Sequence, residues 1–474
     1  MSRLKLFLEN FFIYGIGGII SKIVPIVMLP IVTRLMPNTE YFGLNDISVV
    51  IVSFGIAIAV MGMYDAMYRM FFEKEEQEYK EEICSSTLGF TLATSIIIFL
   101  VLFVFQSFFS KLFFGSGKYS NLLLLTALSI LIGGTNSIVS APTRMRNQRK
   151  IFLVTNTLSP ILSYGVSIPL LLKGHFIIAL PLASVISSLS MEIIFIVLNR
   201  QWFNLKKIKK EHIKSMLYIA LPLFPNFLIY WIFNACDRLM IANMLGNDQV
   251  GIYAIGAKIG QVSQLIYTAF AGGWQFFAFS TMKDQDQVKM TSNIFEYLGL
   301  ISFGAGMLMT VMSDYIFKLF FSGDYVKGTI VAPYLFFSPL LLMLFQVACN
   351  QFIVIKKTWP NLFILSFGAL VNITINWIGI KYIGIEGAAL GTLCGYVTAV
   401  LICVFVLKKM ELLKISAKFL ICVVLTTIYA VIWRIFLMEY KGSSLALVIC
   451  ILGVFVILYL KDIKSIIKRK GKSI

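Results

Sequence analysis

The sequence predicts an all-α integral membrane protein of about fourteen transmembrane helices, and three observations carry that prediction. Of the 474 residues, 58% are hydrophobic and 14% charged, with a mean hydropathy of +0.86, whereas a soluble chain carries roughly 25% charged residues. The apolar residues gather into runs of about 20, the length that crosses a hydrocarbon core about 30 Å thick. The connections are short, at most about 16 residues, so no soluble domain fits between the runs. Lipid offers no water to satisfy backbone N–H and C=O groups, and runs this long suit helices rather than barrel strands.

In chain order the apolar segments fall near 10–33, 45–68, 83–106, 119–141, 151–172 and 176–198. The first is longer than the core of a signal peptide and lacks a small-residue cleavage site, so it reads as a retained helix. After a basic interruption at 199–214 come 216–236, 250–273, 290–312, 329–354, 361–380 and 386–407. Two more, 415–437 and 444–460, follow the lysines at 408–414. The grouping is six, six and two, which predicts an N-terminal six-helix lobe at 1–210 and a C-terminal one at 211–414. Residues 415–474 supply two accessory helices and a basic tail.

Orientation follows from Lys and Arg in the loops. Both tails and the loops at 69–82, 143–150, 199–214, 283–289, 356–357 and 408–418 hold most of the 41. That side, with both termini, is therefore expected to be cytoplasmic. The acidic run Glu73 to Glu82 reads as a solvated loop without function. The net charge of +18 sits in short loops and a tail rather than on a folded face, which favours anionic lipid head groups over nucleic acid. All seven Cys lie in or at the ends of apolar segments, and free thiols are expected. The two His lie in loops, there is no metal-ligand spacing, and no Gly-rich phosphate loop follows a strand. No catalytic residues, metal, cofactor or ATP hydrolysis are expected.

A faint internal duplication crosses the chain. Asn38 and Gly43 recur as Asn247 and Gly251, and Gly174, Ala179 and Leu180 as Gly384, Ala389 and Leu390. The prolines do not follow: Pro25 and Pro30 fail to align with Pro222 and Pro225.

Four stretches resemble the lipid-linked oligosaccharide flippases of the multidrug, oligosaccharidyl-lipid and polysaccharide exporter superfamily, which export O-antigen and capsule repeat units. They are Asn10 to Thr33, Thr33-Arg34-Leu35 to Tyr41-Phe42-Gly43, Asp237-Arg238 to Gly251-Ile252-Tyr253, and Gly384-Ile385-Glu386-Gly387-Ala388-Ala389-Leu390-Gly391-Thr392. Phe42 lengthens the first turn by one residue relative to the usual pattern. The resemblance implies a MATE-like V of two lobes around a cavity that opens alternately to either side. It further implies a monomer in the bacterial cytoplasmic membrane that works beside a polysaccharide polymerase. A drug or cation antiporter, a peptidoglycan lipid-precursor flippase and a membrane polysaccharide polymerase are the alternatives.

Charged and polar residues inside the spans are the candidate site. A charge at mid-span costs about 2.5 to 3.5 kcal/mol on insertion scales, so Lys22 and Lys258 should avoid lipid. Lys258 heads a stripe with Gln261, Gln264 and Thr268; Asn226, Tyr230, Asn234 and Arg238 form another, and Asn372 lies four residues before Asn376. Interhelical hydrogen bonding explains any single amide, at about 0.6 kcal/mol each. Two unneutralised lysines favour a wet cavity for an anionic substrate, and a diphosphate-linked glycan fits that chemistry. Arg34, Asp65 with Arg69, and Asp237 with Arg238 mark helix ends and are candidate gates, with interfacial anchoring as the plain alternative. Glu296 and Glu192 are candidate carboxylates for a coupling proton or Na+.

Overall fold

The computed structural model describes residues 23–222, 224–268, 270, 274, 278, 284–355, 357 and 359–470, the side chains of 149, 463 and 465–470 excepted. All regular structure among them is helical. Eleven helices are long and apolar enough to cross a membrane, or twelve if the bent pair Lys210–Ala220 and Phe224–Leu245 is one span. The chain is thus a multi-pass membrane protein. Two of the fourteen expected segments appear as shorter pieces, because those at 10–33 and 250–273 run into residues outside the described set. In chain order the main helices are α1 (Ile23–Leu35), α2 (Thr39–Val60), α3 (Gln77–Val104), α4 (Ser120–Val139), α5 (Arg149–Leu172), α6 (Ala179–Asn199) and α7 (Phe224–Leu245). They continue with α8 (Asn247–Gly260), α9 (Gln287–Phe320), α10 (Ala332–Val354), α11 (Trp359–Ile383), α12 (Ile385–Lys409), α13 (Ala417–Ile432) and α14 (Lys441–Lys470).

Contacts divide the chain into two compact units. The first runs to Ile255 and adds Phe321–Tyr325 and Asn376–Ala388. Within it α4 packs against α2, α3 and α6, and α5 packs against α6. Small and hydroxylated residues permit the close approach, as expected where lipid supplies no hydrophobic drive between helices. A Cβ on Gly134 would stand 2.6 Å from Ser95 Oγ, Ser48 and Thr126 share a 2.7 Å hydrogen bond, and Thr94 donates to the Ala59 carbonyl at 2.7 Å. Asn38 caps α2 by accepting from the Glu40 N–H at 2.9 Å. The expected single helix at 45–68 is broken: Met61 and Gly62 take φ of 50° and 78°, and a separate short helix, Met63–Phe71, follows. Its Met63 and Met67 fill a core with Trp202, Met216 and Ala220.

The acidic run divides in two. Glu73 to Glu76 are exposed, as a solvated loop should be, but Glu81 and Glu82 are not. Glu82 meets Lys209 at 2.5 Å and His212 at 3.0 Å, and Glu81 meets Lys207 at 2.8 Å. Hydrogen bonding to these carboxylates raises both lysines above the ordinary lysine value. Ser85 and Ser86 accept from the Asn204 and Lys209 N–H groups at 2.9 Å each. The basic interruption is therefore fastened along the start of α3.

The second unit holds Gly256–Phe320, Val326–Ile375 and Ala389–Ile474. Its centre is α9, at 34 residues much longer than the expected 290–312, which absorbs part of the connection and packs against α10, α13 and α14. Met307, Val311, Cys422, Tyr429, Trp433, Phe455 and Tyr459 form the core that fixes α13 and α14 onto α9. Buried hydroxyls complete it: Tyr429 bridges Thr310 at 2.5 Å and Ser444 at 3.0 Å. None of the seven cysteines forms a disulfide among the described residues.

Candidate functional site

Hydropathy ends the seventh segment at 236, before two charges, but α7 continues to Leu245. Asp237 and Arg238 therefore lie inside a helix rather than at a turn, with 2% and 7% exposure. The helix tolerates them because the charges are matched across to α2. Arg238 Nε donates to Asp46 Oδ2 at 2.6 Å, and its Nη1 reaches Asp237 Oδ1 at 3.1 Å and the Asn234 carbonyl at 2.5 Å. Tyr253 on α8, fully buried, donates its hydroxyl to the second oxygen of Asp237. The guanidinium carbon stands 5.7 Å from the Tyr253 ring centroid. Two carboxylates, one guanidinium and a phenol thus join α2, α7 and α8, with Nε and Nη1 of the guanidinium spent on fixed acceptors.

Two of these helices, α2 and α8, are brought together by glycine. A Cβ on Gly43 would stand 1.8 Å from the Asn247 carbonyl oxygen, and one on Gly251 would stand 2.0 Å from that of Thr39. Gly43 and Gly251 are the pair that the duplication aligns, so the two copies of the motif meet each other. A backbone carbonyl cannot yield to a methyl group, so only glycine permits this crossing of α2 and α8. Phe42, the extra residue, falls within α2, and its buried ring packs edge-on to Tyr325 at 6.3 Å.

Asn234 is exposed and donates to the Tyr230 carbonyl one turn back at 2.7 Å; Asn226 and Tyr230 are half-buried on the same helix. In the second unit Gly256 and Gly260 of α8 press on residues 328–335. At 100° per residue, Lys258 projects from the opposite side of that helix, where it is half-buried. Gln261 is exposed and Gln264 half-buried, and the helix tightens to a 3₁₀ turn over Gln261–Ser263 between them.

The other predicted positions fare differently. Asn372 and Asn376 are fully buried: Asn372 donates to Thr392 at 3.0 Å, and Asn376 contacts the Cys236 thiol. They tie helices together rather than line water, because each amide found a partner across a helix pair. Glu296 is 6% exposed and accepts from the Ser416 N–H at 2.7 Å, the Ser416 hydroxyl at 2.8 Å and the Tyr459 hydroxyl at 2.7 Å. Those bonds make it an anchor for the start of α13. Glu192 is half-buried beside Thr135. Arg34, Asp65 and Arg69 are exposed, and no ion pair joins Asp65 to Arg69. Lys22 lies outside the described residues.

Sequence reasoning missed Asp46 and Tyr253. A carboxylate about two turns into a helical span, with no cation within four residues, is a signal that could have pointed to Asp46.

The family described as polysaccharide biosynthesis protein matches residues 31–328. No curated protein matches this chain significantly by sequence. Among solved structures, one titled lipid II flippase MurJ, inward closed conformation, is similar at a TM-score of 0.68 and 18% identity, over 97% of this chain and 99% of that one. An inward-facing multidrug resistance MATE family transporter of the MOP superfamily is similar at 0.66 and 14%, covering 82% and 94%. A MOP superfamily transporter from Pyrococcus furiosus, whose title describes a binding pocket of reversed polarity, reaches 0.59 and 15%, covering 86% and 95%. These likenesses establish a MurJ- and MATE-like fold.

Proposed function

Because the chain belongs to the polysaccharide biosynthesis protein family, we propose that it is a flippase. Its substrate is a polyprenyl-diphosphate-linked oligosaccharide repeat unit, carried across the bacterial cytoplasmic membrane by alternating access for O-antigen or capsule assembly. The observation that carries this reading is the family match over 31–328, on a chain with a transporter fold. A lipid flippase among the similar structures supports a lipid-linked substrate over a soluble drug.

The substrate's phosphates need cationic and amide donors away from bulk water. Lys258 supplies one on the side of α8 turned away from α10, Gln261 and Gln264 follow beyond the end of that helix, and Lys22 is assigned with them. Asn226, Tyr230 and Asn234 on α7 offer the hydrogen-bonding partners that sugar hydroxyls require, while the polyprenyl tail stays in lipid. Asp46, Asp237, Arg238 and Tyr253 act as the outer gate: closed, they bind α2 to α7 and α8 over the glycine crossing. Opening toward the outside separates Arg238 from Asp46. Arg34, Asp65 and Arg69 anchor helix ends at the interface. A proton or Na+ drives the cycle, with Glu192 as the carboxylate left for it once Glu296 is committed to α13. The protein works as a monomer, both termini cytoplasmic, and hands its product to a polysaccharide polymerase.

A deletion strain tests the reading. Lipid-linked repeat units should accumulate on the cytoplasmic leaflet and be restored to the outer face by the plasmid-borne gene. Normal arrival of those units at the outer face without the gene refutes it. The likeness to the lipid II flippase favours one second reading, transport of a peptidoglycan lipid precursor. The same strain would then accumulate that precursor instead.

A further inference from the structure

The second unit contains a pocket that the proposed transport path does not use. It is a cavity of about 200 Å³ at the basic end of the helices, where α9 and α14 meet the turn leading into α13. Its wall on α9 is one helical stripe, Lys289, Ser292, Asn293, Glu296 and Tyr297, at spacings of three and four. The opposite wall comes from Lys414, Ser416 and Lys418, with Tyr459 and Asp462 of α14 closing the end.

The groups divide into spent and unspent. Glu296 accepts its three hydrogen bonds on the floor. Lys418 pairs with Asp462 and stands 4.1 Å over the Tyr459 ring. Both acidic groups therefore have their donors inside the protein. Lys289 and Lys414 are exposed at the rim, and neither ammonium makes an ion pair among the described residues. Asn293 lies one turn from Lys289, and its amide makes no hydrogen bond among the described residues. Two ammonium groups and an amide around a small polar hollow form a donor set for an anion.

We propose that this pocket binds the phosphate of an anionic phospholipid headgroup, with Lys289 and Lys414 as its cationic clamp and Asn293 as a neutral donor. Phosphate as such could come from lipid or solution, and the surroundings favour lipid. From Lys418 the same side of α13 continues through Ile421 and Ile428, 46% and 49% exposed. An acyl chain lies along that apolar strip while its headgroup occupies the pocket. The accessory helices then serve as a lipid-binding element.

The test is equilibrium binding of radiolabelled dioleoyl phosphatidylglycerol to the purified full-length protein in nonionic detergent. Unlabelled phosphatidylglycerol should displace it, and phosphatidylcholine should not. Each lysine at a membrane surface contributes about fivefold, so Lys289→Ala with Lys414→Ala should weaken binding about thirtyfold. Both residues are exposed, and an unchanged melting temperature shows that the double variant is folded. A variant that replaces Lys210 and Lys214, basic residues of the first unit, should bind as the wild type does. Equal affinity in the Lys289/Lys414 variant overturns the proposal. So does displacement of the label by inorganic phosphate at the same concentration as by lipid, which would assign the pocket to a free anion.

Discussion

Asp46→Asn isolates the ionic tie between α2 and α7. The substitution keeps the size of the side chain and leaves Arg238 against Asp237 at 3.1 Å, so the guanidinium is still neutralised where it is buried. What is lost is the charge on the acceptor of the 2.6 Å bond from Arg238 Nε, on a residue 3% exposed. A hydrogen bond to a charged group contributes about 1.5 to 3 kcal/mol. If the bond exists only with the gate closed, its loss shifts the equilibrium toward the open form by about ten- to a hundredfold, at tenfold per 1.4 kcal/mol. Thr39, at 7% exposure, lies with its carbonyl against Gly251 and becomes accessible when α2 and α8 part. A cysteine at Thr39, in a background without the seven native cysteines, reports that event through its rate of maleimide labelling in nanodiscs. Asp46→Asn should raise the rate by the same ten- to a hundredfold, up to the rate in unfolded protein. A rate within twofold of the parent would refute the gate.

Other outcomes follow from the same geometry. Gly43→Ala places a methyl 1.8 Å from a backbone oxygen, and Gly251→Ala one at 2.0 Å, so each should cost about 1 to 3 kcal/mol of the closed form and speed the same labelling; unaltered labelling in both would remove the crossing from the gate. Lys258→Ala should impair export without lowering the amount of protein in the membrane, as complementation and immunoblotting would show, and full complementation would strike it from the site. Glu296→Ala strands two donors of Ser416 and the Tyr459 hydroxyl at about 1 to 3 kcal/mol each, so the melting temperature should fall, with Glu296→Gln intermediate; a wild-type melt for the alanine variant would exclude the anchoring role.

The spans were legible in the sequence because twenty apolar residues have one use in water-poor surroundings. Their ends were less so. Hydropathy stops at a charge, so it ended the seventh segment before Asp237, although a paired charge continues a helix as well as leucine does. The partner, Asp46, is 192 residues away from Arg238, and no local pattern links them. The break at Met61 and Gly62 depends on left-handed backbone that an apolar window does not register. Asn372 and Asn376 have the spacing of a cavity stripe, and the same spacing serves equally for bonds between helices, which is how Asn372 is used. The duplication signal, carried by a few small residues, did mark a structural position at one of its pairs: Gly43 and Gly251 are where α2 and α8 touch.

That contact has the form of an isologous interface, in which the same patch faces its own copy. Within one chain the two positions can vary separately, yet a methyl group at either one alone already meets a backbone carbonyl. The seam between α2 and α8 therefore rests on two independent positions, at each of which any side chain larger than a hydrogen forces the two backbones apart.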